Sequence, residues 1–358
     1  MIEDIAHTVI SQFQKPTLAF LIGGMLIAAA GSKLEIPAPV YKFIVIVLLL
    51  KVGLGAGISI RQAGFIALLV PALCAAALGV AIVLLGSSTL ARWRGISRVD
   101  GLATAGLFGA VSASTLAAGM AMLDAEGIAY EGFIGALYPF MDIAALVTAI
   151  VMAWVSLVRS TAAETVQGSG AATMTIGGGS LTNQAQITGF DGSLIRTIVM
   201  DTFRSPAISA LLFGIGLGIF AKPDSVYEGF YELLFKGLLS ILMLIMGIEA
   251  WSRLAELRKV AHAYIFYGLA APFIHGLLGF GVGVIAHYLT GFSAGGVVLL
   301  AVMASSSSDI SGPPTLRAAL PEANPSAYVG TSTGIGTPVA ILSIPLYVAL
   351  AGALIGFP

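Results

Sequence analysis

Charge is scarce in this sequence: Asp, Glu, Lys and Arg make up 10% of its 358 residues and leave a formal net charge of −1. So thin a charged surface excludes an ordinary soluble domain, in which about a quarter of the residues are charged. No basic run occurs, so neither a nucleic-acid surface nor a polybasic membrane patch is expected. Cysteine is rarer still. The lone Cys74 excludes an internal disulfide and a thiolate metal centre, and inside an apolar window it reads as a small packing residue. Residues 1–16 lack the short apolar core and small-residue cleavage site of a secretory leader. Glu3, Asp4, His7 and Lys15 form an amphipathic pattern there instead, and no cleaved leader is expected.

Apolar residues are what the chain has in excess. They reach 58%, the mean hydropathy is +0.98, and windows of the ~20 residues needed to cross a ~30 Å hydrocarbon core recur along nearly the whole length. An all-α polytopic membrane protein follows, with membrane lipid as its solvent. The 44 glycines and 15 prolines fit close helix packing and interrupted helices. Ten spans are predicted, over 17–31, 43–59, 65–86, 101–122, 132–157, 206–221, 233–251, 263–288, 294–318 and 326–356. Between the fifth and sixth, residues 160–194 hold only Glu164 and Asp191 as charges and include Gly177-Gly178-Gly179-Ser180. This composition predicts a flexible linker, so three regions are expected: 1–159, 160–194 and 195–358.

The two outer regions resemble each other. Pro16 aligns with Pro206, Gly24 with Gly214 and Gly57 with Gly247, and Phe108 to Thr115 lies over Val302 to Asp309 at an offset of 194. Pro139 meets Pro338 in the same order, which points to internal duplication. With five spans per copy, the second enters the membrane from the opposite side, so the copies are inverted repeats. Inverted repeats belong to secondary transporters, whose sites form at the repeat interface from discontinuous helices. Placing both termini outside puts twelve of the 17 Lys and Arg in the loops of the linker side and four opposite, with Lys51 inside a span. The linker is therefore expected to be cytoplasmic.

Polar residues within spans are costly, and they concentrate in two places. Residues 304–315 read Ala-Ser-Ser-Ser-Ser-Asp-Ile-Ser-Gly-Pro-Pro-Thr, directly after an apolar run, and the aligned first copy carries Ser112, Ala113, Ser114 and Thr115. Pro313 and Pro314 remove two helix donors and oppose continuation of the helix. A helix that stops and restarts leaves N–H groups at one end, suited to a small oxyanion, and carbonyls at the other, suited with hydroxyls and a carboxylate to a hard cation. Ser112, Ser114, Thr115, Ser306, Ser307 and Ser308 can supply hydroxyls to either ligand, and Asp309 can neutralise the cation. The alternative for such hydroxyls is a bond to a carbonyl one turn earlier. Asp142, after Pro139 in its span, reads either as an ion carboxylate or as a group satisfied within the protein. Lys51 and Glu249 read as pairing residues, His275 as a hydrogen-bonded core residue and His287 as interfacial.

Enzyme readings fare worse. A serine hydrolase built from His275 and Ser308 lacks a Gly-x-Ser-x-Gly elbow, and one nucleophile gives no reason for a duplicated serine segment. An aspartyl pair of Asp142 and Asp309 lacks a Gly-x-Gly-Asp context. No enzyme is expected.

The strings Ser-Val-Tyr-Glu-Gly-Phe-Tyr (225–231), Gly-Leu-Leu-Ser-Ile-Leu-Met-Leu-Ile-Met-Gly (237–247), Ser-Ser-Ser-Asp-Ile-Ser-Gly-Pro-Pro-Thr-Leu-Arg (306–317) and Gly-Ala-Leu-Tyr-Pro-Phe-Met-Asp-Ile (135–143) closely resemble the cyanobacterial sodium-dependent bicarbonate transporter family. The likeness covers residues 16–350 and weakens in the linker. It implies a symporter importing bicarbonate with Na+ for a carbon-concentrating mechanism. It also implies a plasma (inner) membrane location, a homotrimer and a PII-like regulatory protein on the cytoplasmic side, with no cofactor beyond Na+ as coupling ion. Carried onto this chain, it places bicarbonate at Ser112–Thr115 and Ser306–Ser308, and sodium at Asp309 with Ser311 and Asp142. Two alternatives stand beside it: sodium-coupled uptake of another small anion, and an anion receptor without net transport.

Overall fold

The computed structural model describes residues 16–63, 66–168, 196, 199–200, 203–257 and 262–357. The chain is all-helical, and no strand occurs among the described residues. Its principal helices are α1 (Pro16–Ala29), α2 (Ala38–Ala63), α3 (Ile66–Ser88), α4 (Arg98–Gly109), α5 (Ala113–Glu126), α6 (Tyr138–Gly168), α7 (Pro206–Phe220), α8 (Leu233–Leu257), α9 (His262–Thr290), α10 (Ala294–Ser305) and α11 (Gly312–Ala319). A last helical run, α12 (Pro325–Leu354), contains a π-helical turn at Gly330–Gly336.

Seven helical stretches among the described residues are long and apolar enough to cross a membrane, which makes this a multi-pass membrane protein. Of three shorter apolar helices, α1 and α7 fall on the predicted spans 17–31 and 206–221, whereas α10 covers only the first half of the predicted span 294–318, which is interrupted after Ser305. Residues 160–168, read as the start of the linker, instead continue α6. Linker residues 169–194, the amphipathic residues 1–15, and Arg258 and Lys259 lie outside the described residues.

The two halves interlock through glycine. α2 packs along α7, and α8 along α1. In the first pair Gly53 and Gly57 face Gly214 and Gly218, each set spaced as Gly-x-x-x-Gly, and a Cβ at Gly57 would come within 2.8 Å of the Gly218 Cα. Such spacing lets backbones approach where side chains cannot intervene. Arg61 extends the contact: its guanidinium donates to the Gly218 (3.1 Å) and Ala221 (2.7 Å) carbonyls at the end of α7 and pairs with Asp224 at 3.1 Å. A cation there satisfies orphan carbonyls and complements the helix dipole.

In the second pair, a Cβ on Gly247 would strike the Leu21 carbonyl and lie 3.0 Å from the Gly24 Cα. Gly247→Ala is expected to lower the thermal unfolding midpoint in detergent, at a cost of about 1–3 kcal/mol for overpacking. An unchanged midpoint would show that α1 and α8 separate without penalty.

Lys51 is buried on α2 within 4.0 Å of Glu232 and 4.2 Å from the Phe235 ring centroid. This pairing between α2 and the start of α8 agrees with its expected role. His287 contacts the Phe292 carbonyl at 2.5 Å at the end of α9. His275 departs from expectation: it is buried edge-on to Phe108 and Tyr267, and its Nδ1 has no hydrogen-bond partner.

The stretch formed by α4 and α5 lies at the centre. Its most apolar window is 100% buried inside the protein, whereas those of the other six stretches are 39% to 67% buried. It therefore meets protein on every side.

Candidate functional site

Two helix breaks build the site. α4 starts on an N-cap, Ser97, whose hydroxyl accepts from the Asp100 N–H at 3.0 Å, and stops at Ala110, which is extended. Ser112 then caps α5 by accepting the Thr115 N–H at 3.2 Å. The second break repeats the first: Ser293 caps α10 through the Gly296 N–H at 2.9 Å, α10 spans 12 residues as α4 does, and it stops at the extended Ser306. α5 closes at its far end on Gly127 in the left-handed conformation, while α11 starts at the second break with Gly312, Pro313 and Pro314 in its first turn.

The breaks lie against each other. The Ser112 N–H donates to Ser306 Oγ at 3.0 Å, and the Ser308 N–H donates to the Leu107 carbonyl at 2.8 Å. The last turn of α4 and the Ser306 hydroxyl thus satisfy backbone N–H groups of the two extended links, as burial in a membrane interior requires. Asp142, on α6, bridges both: Oδ1 accepts the Val111 N–H at 3.0 Å and Oδ2 accepts the Ser311 hydroxyl at 2.8 Å. The Tyr138 hydroxyl, at 3.2 Å, and the Ser308 hydroxyl, at 3.0 Å, complete the shell around Ser311.

Loops beyond the breaks brace the opposite half. Glu131 accepts the Ser293 N–H at 2.6 Å and its hydroxyl at 2.9 Å, placing a carboxylate at the N-terminus of α10. Reciprocally, Asp100 on α4 accepts the Asn324 N–H at 2.7 Å. Nearby, Tyr130 donates to Asp124 at 2.9 Å, and burial, followed by the charge of that carboxylate, holds its phenol above the usual range.

The serines divide into two groups. Those of the second break are committed to the protein: the Ser306 hydroxyl donates to Met303 (2.7 Å), the Ser307 hydroxyl to Ser332 (3.1 Å), and Ser308 Oγ accepts the Gly312 N–H (2.9 Å). With that N–H bonded and Pro313 and Pro314 lacking theirs, the start of α11 has little left to offer an anion. The start of α5 differs. Ser114 donates to Asp309 Oδ2 at 2.8 Å, with Ser112 Oγ 2.8 Å from Ser114 Oγ and 3.2 Å from the same carboxylate oxygen. Ala113 and Ser114 also belong to the first turn, whose N–H groups precede the intrahelical ladder. Asp309 Oδ1 is buried without a partner, as is the Thr115 hydroxyl.

A hydroxyl pair at a helix N-terminus is therefore holding a planar carboxylate, and that carboxylate keeps one oxygen unsatisfied. Chemically, the arrangement suits an oxyanion beside α5 and a hard cation beside Asp309. Ser112, Ala113, Ser114, Thr115, Asp309, Ser306, Ser307, Ser308, Ser311 and Asp142 are all brought to one region. Sequence reasoning passed over the π-helical turn Gly330–Gly336. There Ser332 donates to the Ser308 carbonyl at 3.2 Å and Thr337 lies 3.3 Å from Ser307 Oγ. A Cβ at Gly336 would press on the Phe108 ring at 2.6 Å. The run Thr331-Ser332-Thr333-Gly334-Ile335-Gly336-Thr337 was the available signal, since small polar residues inside a span often accompany π-turns at functional sites.

A family model described as the Na+-dependent bicarbonate transporter superfamily matches residues 16–352. Among curated proteins, none matches the chain at a significant level.

Proposed function

The chain belongs to the Na+-dependent bicarbonate transporter superfamily, and from that premise we propose that it imports bicarbonate by symport with sodium to accumulate inorganic carbon. The observation that carries the proposal is the carboxylate of Asp309 seated on the Ser112 and Ser114 hydroxyls at the start of α5. Bicarbonate has the same planar oxyanion, and donors of this kind hold it without a full positive side chain, which permits release.

In this mechanism bicarbonate takes the hydroxyls and N–H groups of Ser112 to Thr115, with Ser306 to Ser308 forming the wall across the break. Sodium takes Asp309, whose free Oδ1 fits a cation ligand, with Ser311 and Asp142 on the same side. Without sodium, Asp309 competes with the anion for the hydroxyls of Ser112 and Ser114. A cation drawing the carboxylate away frees those donors and offsets the anion's charge, so each ligand favours the other.

The architecture of the proposal is ten spans in two inverted five-helix repeats, 1–159 and 195–358, joined by a cytoplasmic linker in the plasma membrane, with both termini outside. The reciprocal packing of α1 on α8 and α2 on α7, and the matched breaks after α4 and α10, support it. Assembly as a homotrimer and control by a PII-like protein at the cytoplasmic face rest on the family resemblance alone.

The test is labelled bicarbonate uptake into proteoliposomes of the full chain, with and without an inward sodium gradient. Gradient-driven accumulation is expected. Uptake indifferent to sodium ends the symport claim, and accumulation of a different anion in preference to bicarbonate ends the substrate assignment.

A further inference from the structure

Beside the first turn of α5 lies a cavity of about 10 Å³, lined by Ala113, Ser114 and Ala117 of α5, by Val45, Leu48, Leu49 and Val52 of α2, and by Leu242 of α8. That volume is at the lower limit for a single water molecule. Its two sides differ in kind. On the α5 side are Ala113, Ser114 and Ala117, the first two in the first turn of that helix; on the other are five branched aliphatic side chains with no donor, acceptor or charge. An anion resting on the start of α5 has Ser306 to Ser308 across the break, and on the side toward α2 and α8 whatever it carries meets this wall.

The wall is not soft. Val45, Leu48, Leu49, Val52 and Leu242 are each at most 5% exposed, so none can swing into an open space. Val52 is braced from behind: its Cγ1 packs where Gly135 has no side chain, and a Cβ there would collide with it. Floor and wall also belong to different helices. The gap between α5 and the α2–α8 pair must widen for an anion to enter and must close again over it.

Resting on the assignment of the anion to α5, we propose that Val45, Leu48, Leu49, Val52 and Leu242 form the size filter of the transporter. The filter closes over a one-carbon oxyanion and rejects monocarboxylates bearing a longer apolar tail. The hydroxyls of α5 grip the carboxylate head of either class equally, so discrimination falls to the space opposite. A hydrophobic pocket distinguishes ligands by about tenfold or more per methylene when the space is fixed. Truncating one leucine in a packed core can open a cavity on the order of 150 Å³.

The experiment uses the full chain in proteoliposomes under a sodium gradient, with labelled bicarbonate and labelled propanoate as probes. Wild type is expected to accumulate bicarbonate and to ignore excess propanoate. Leu242→Ala and Val52→Ala are expected to accumulate propanoate and to show bicarbonate uptake inhibited by propanoate at a concentration lower by about tenfold or more. Leu69→Ala, on the exposed outer face of α3, is expected to keep wild-type selectivity. Should Leu242→Ala lose its monodisperse peak in detergent, Ala117→Val tests the same space by filling it. Bicarbonate uptake is then expected to fall about tenfold or more with the fold retained.

Well-folded wall variants with wild-type selectivity overturn the filter, as does Ala117→Val with full uptake. If wild type carries some other small anion instead of bicarbonate, the function proposed above fails. The filter is then scored on whether the wall variants admit that anion's longer homologues.

Discussion

Replacing Asp309 by asparagine is expected to leave a folded protein that takes up little bicarbonate at physiological sodium and needs far more of the ion to reach half-maximal uptake. The amide is isosteric, and its oxygen still accepts from Ser114, so the contact across the two breaks survives. What disappears is the charge. Removing one partner of a buried, hydrogen-bonded charge pair costs about 2–5 kcal/mol. At about 1.4 kcal/mol per tenfold, the sodium concentration giving half-maximal uptake should rise at least about thirtyfold. The measurement is a sodium titration of labelled bicarbonate uptake in proteoliposomes, with a size-exclusion profile to confirm folding. Unchanged half-saturation at full uptake removes Asp309 from the cation site. A second readout bears on coupling. If Asp309 competes with the anion at Ser112 and Ser114, the asparagine variant binds bicarbonate in the absence of sodium more tightly than wild type does.

Much of this site was legible in the sequence because membrane burial makes irregular backbone expensive. Gly312-Pro313-Pro314 after four serines cannot continue a helix through lipid, and the structure stops α10 at Ser305. The alignment of Ser112 with Ser306 anticipated two breaks, and the two residues meet in a direct hydrogen bond at 3.0 Å. Hydropathy does not report which hydroxyl is already spent. Ser306, Ser307 and Ser308 look like donors in one dimension, yet their bonds go to Met303, Ser332 and the α11 start. Serine readily bonds a nearby carbonyl, and only coordinates show which one.

The π-turn at Gly330–Gly336 escaped notice for a related reason. Its residues are small enough to keep the span apolar on average, while their polar atoms support the second break from behind. Arg61 lies between the predicted spans 43–59 and 65–86, where nothing in the sequence sets it apart from other loop cations. Its role at the end of α7 depends on the Gly53-Gly57 and Gly214-Gly218 approach, a contact between halves that no local window contains.

Asp142 separates support from ligation most sharply. Both of its oxygens are engaged, one by the Val111 N–H in the first break and one by the Ser311 hydroxyl in the second. In Asp142→Ala, Ser311 can redirect its proton to Ser308 or Tyr138, but the Val111 N–H is left buried and alone, at a cost of about 1–3 kcal/mol before the cavity is counted. A thermal midpoint lower by roughly 2–4 °C is expected, and the two breaks lose their common anchor. In Asp142→Asn the carbonyl keeps Val111 and the amide donates to Ser311 Oγ, so both contacts to the breaks remain and the midpoint should fall by less than in Asp142→Ala. Its effect on sodium then reads ligation alone. Because both oxygens are already occupied by protein donors while Asp309 keeps one free, Asp142→Asn is expected to raise half-saturating sodium by less than about tenfold, against at least about thirtyfold for Asp309→Asn. Equal effects of the two asparagine variants would make Asp142 a full sodium ligand, and the bridge it forms between the breaks would then have to open when the ion binds.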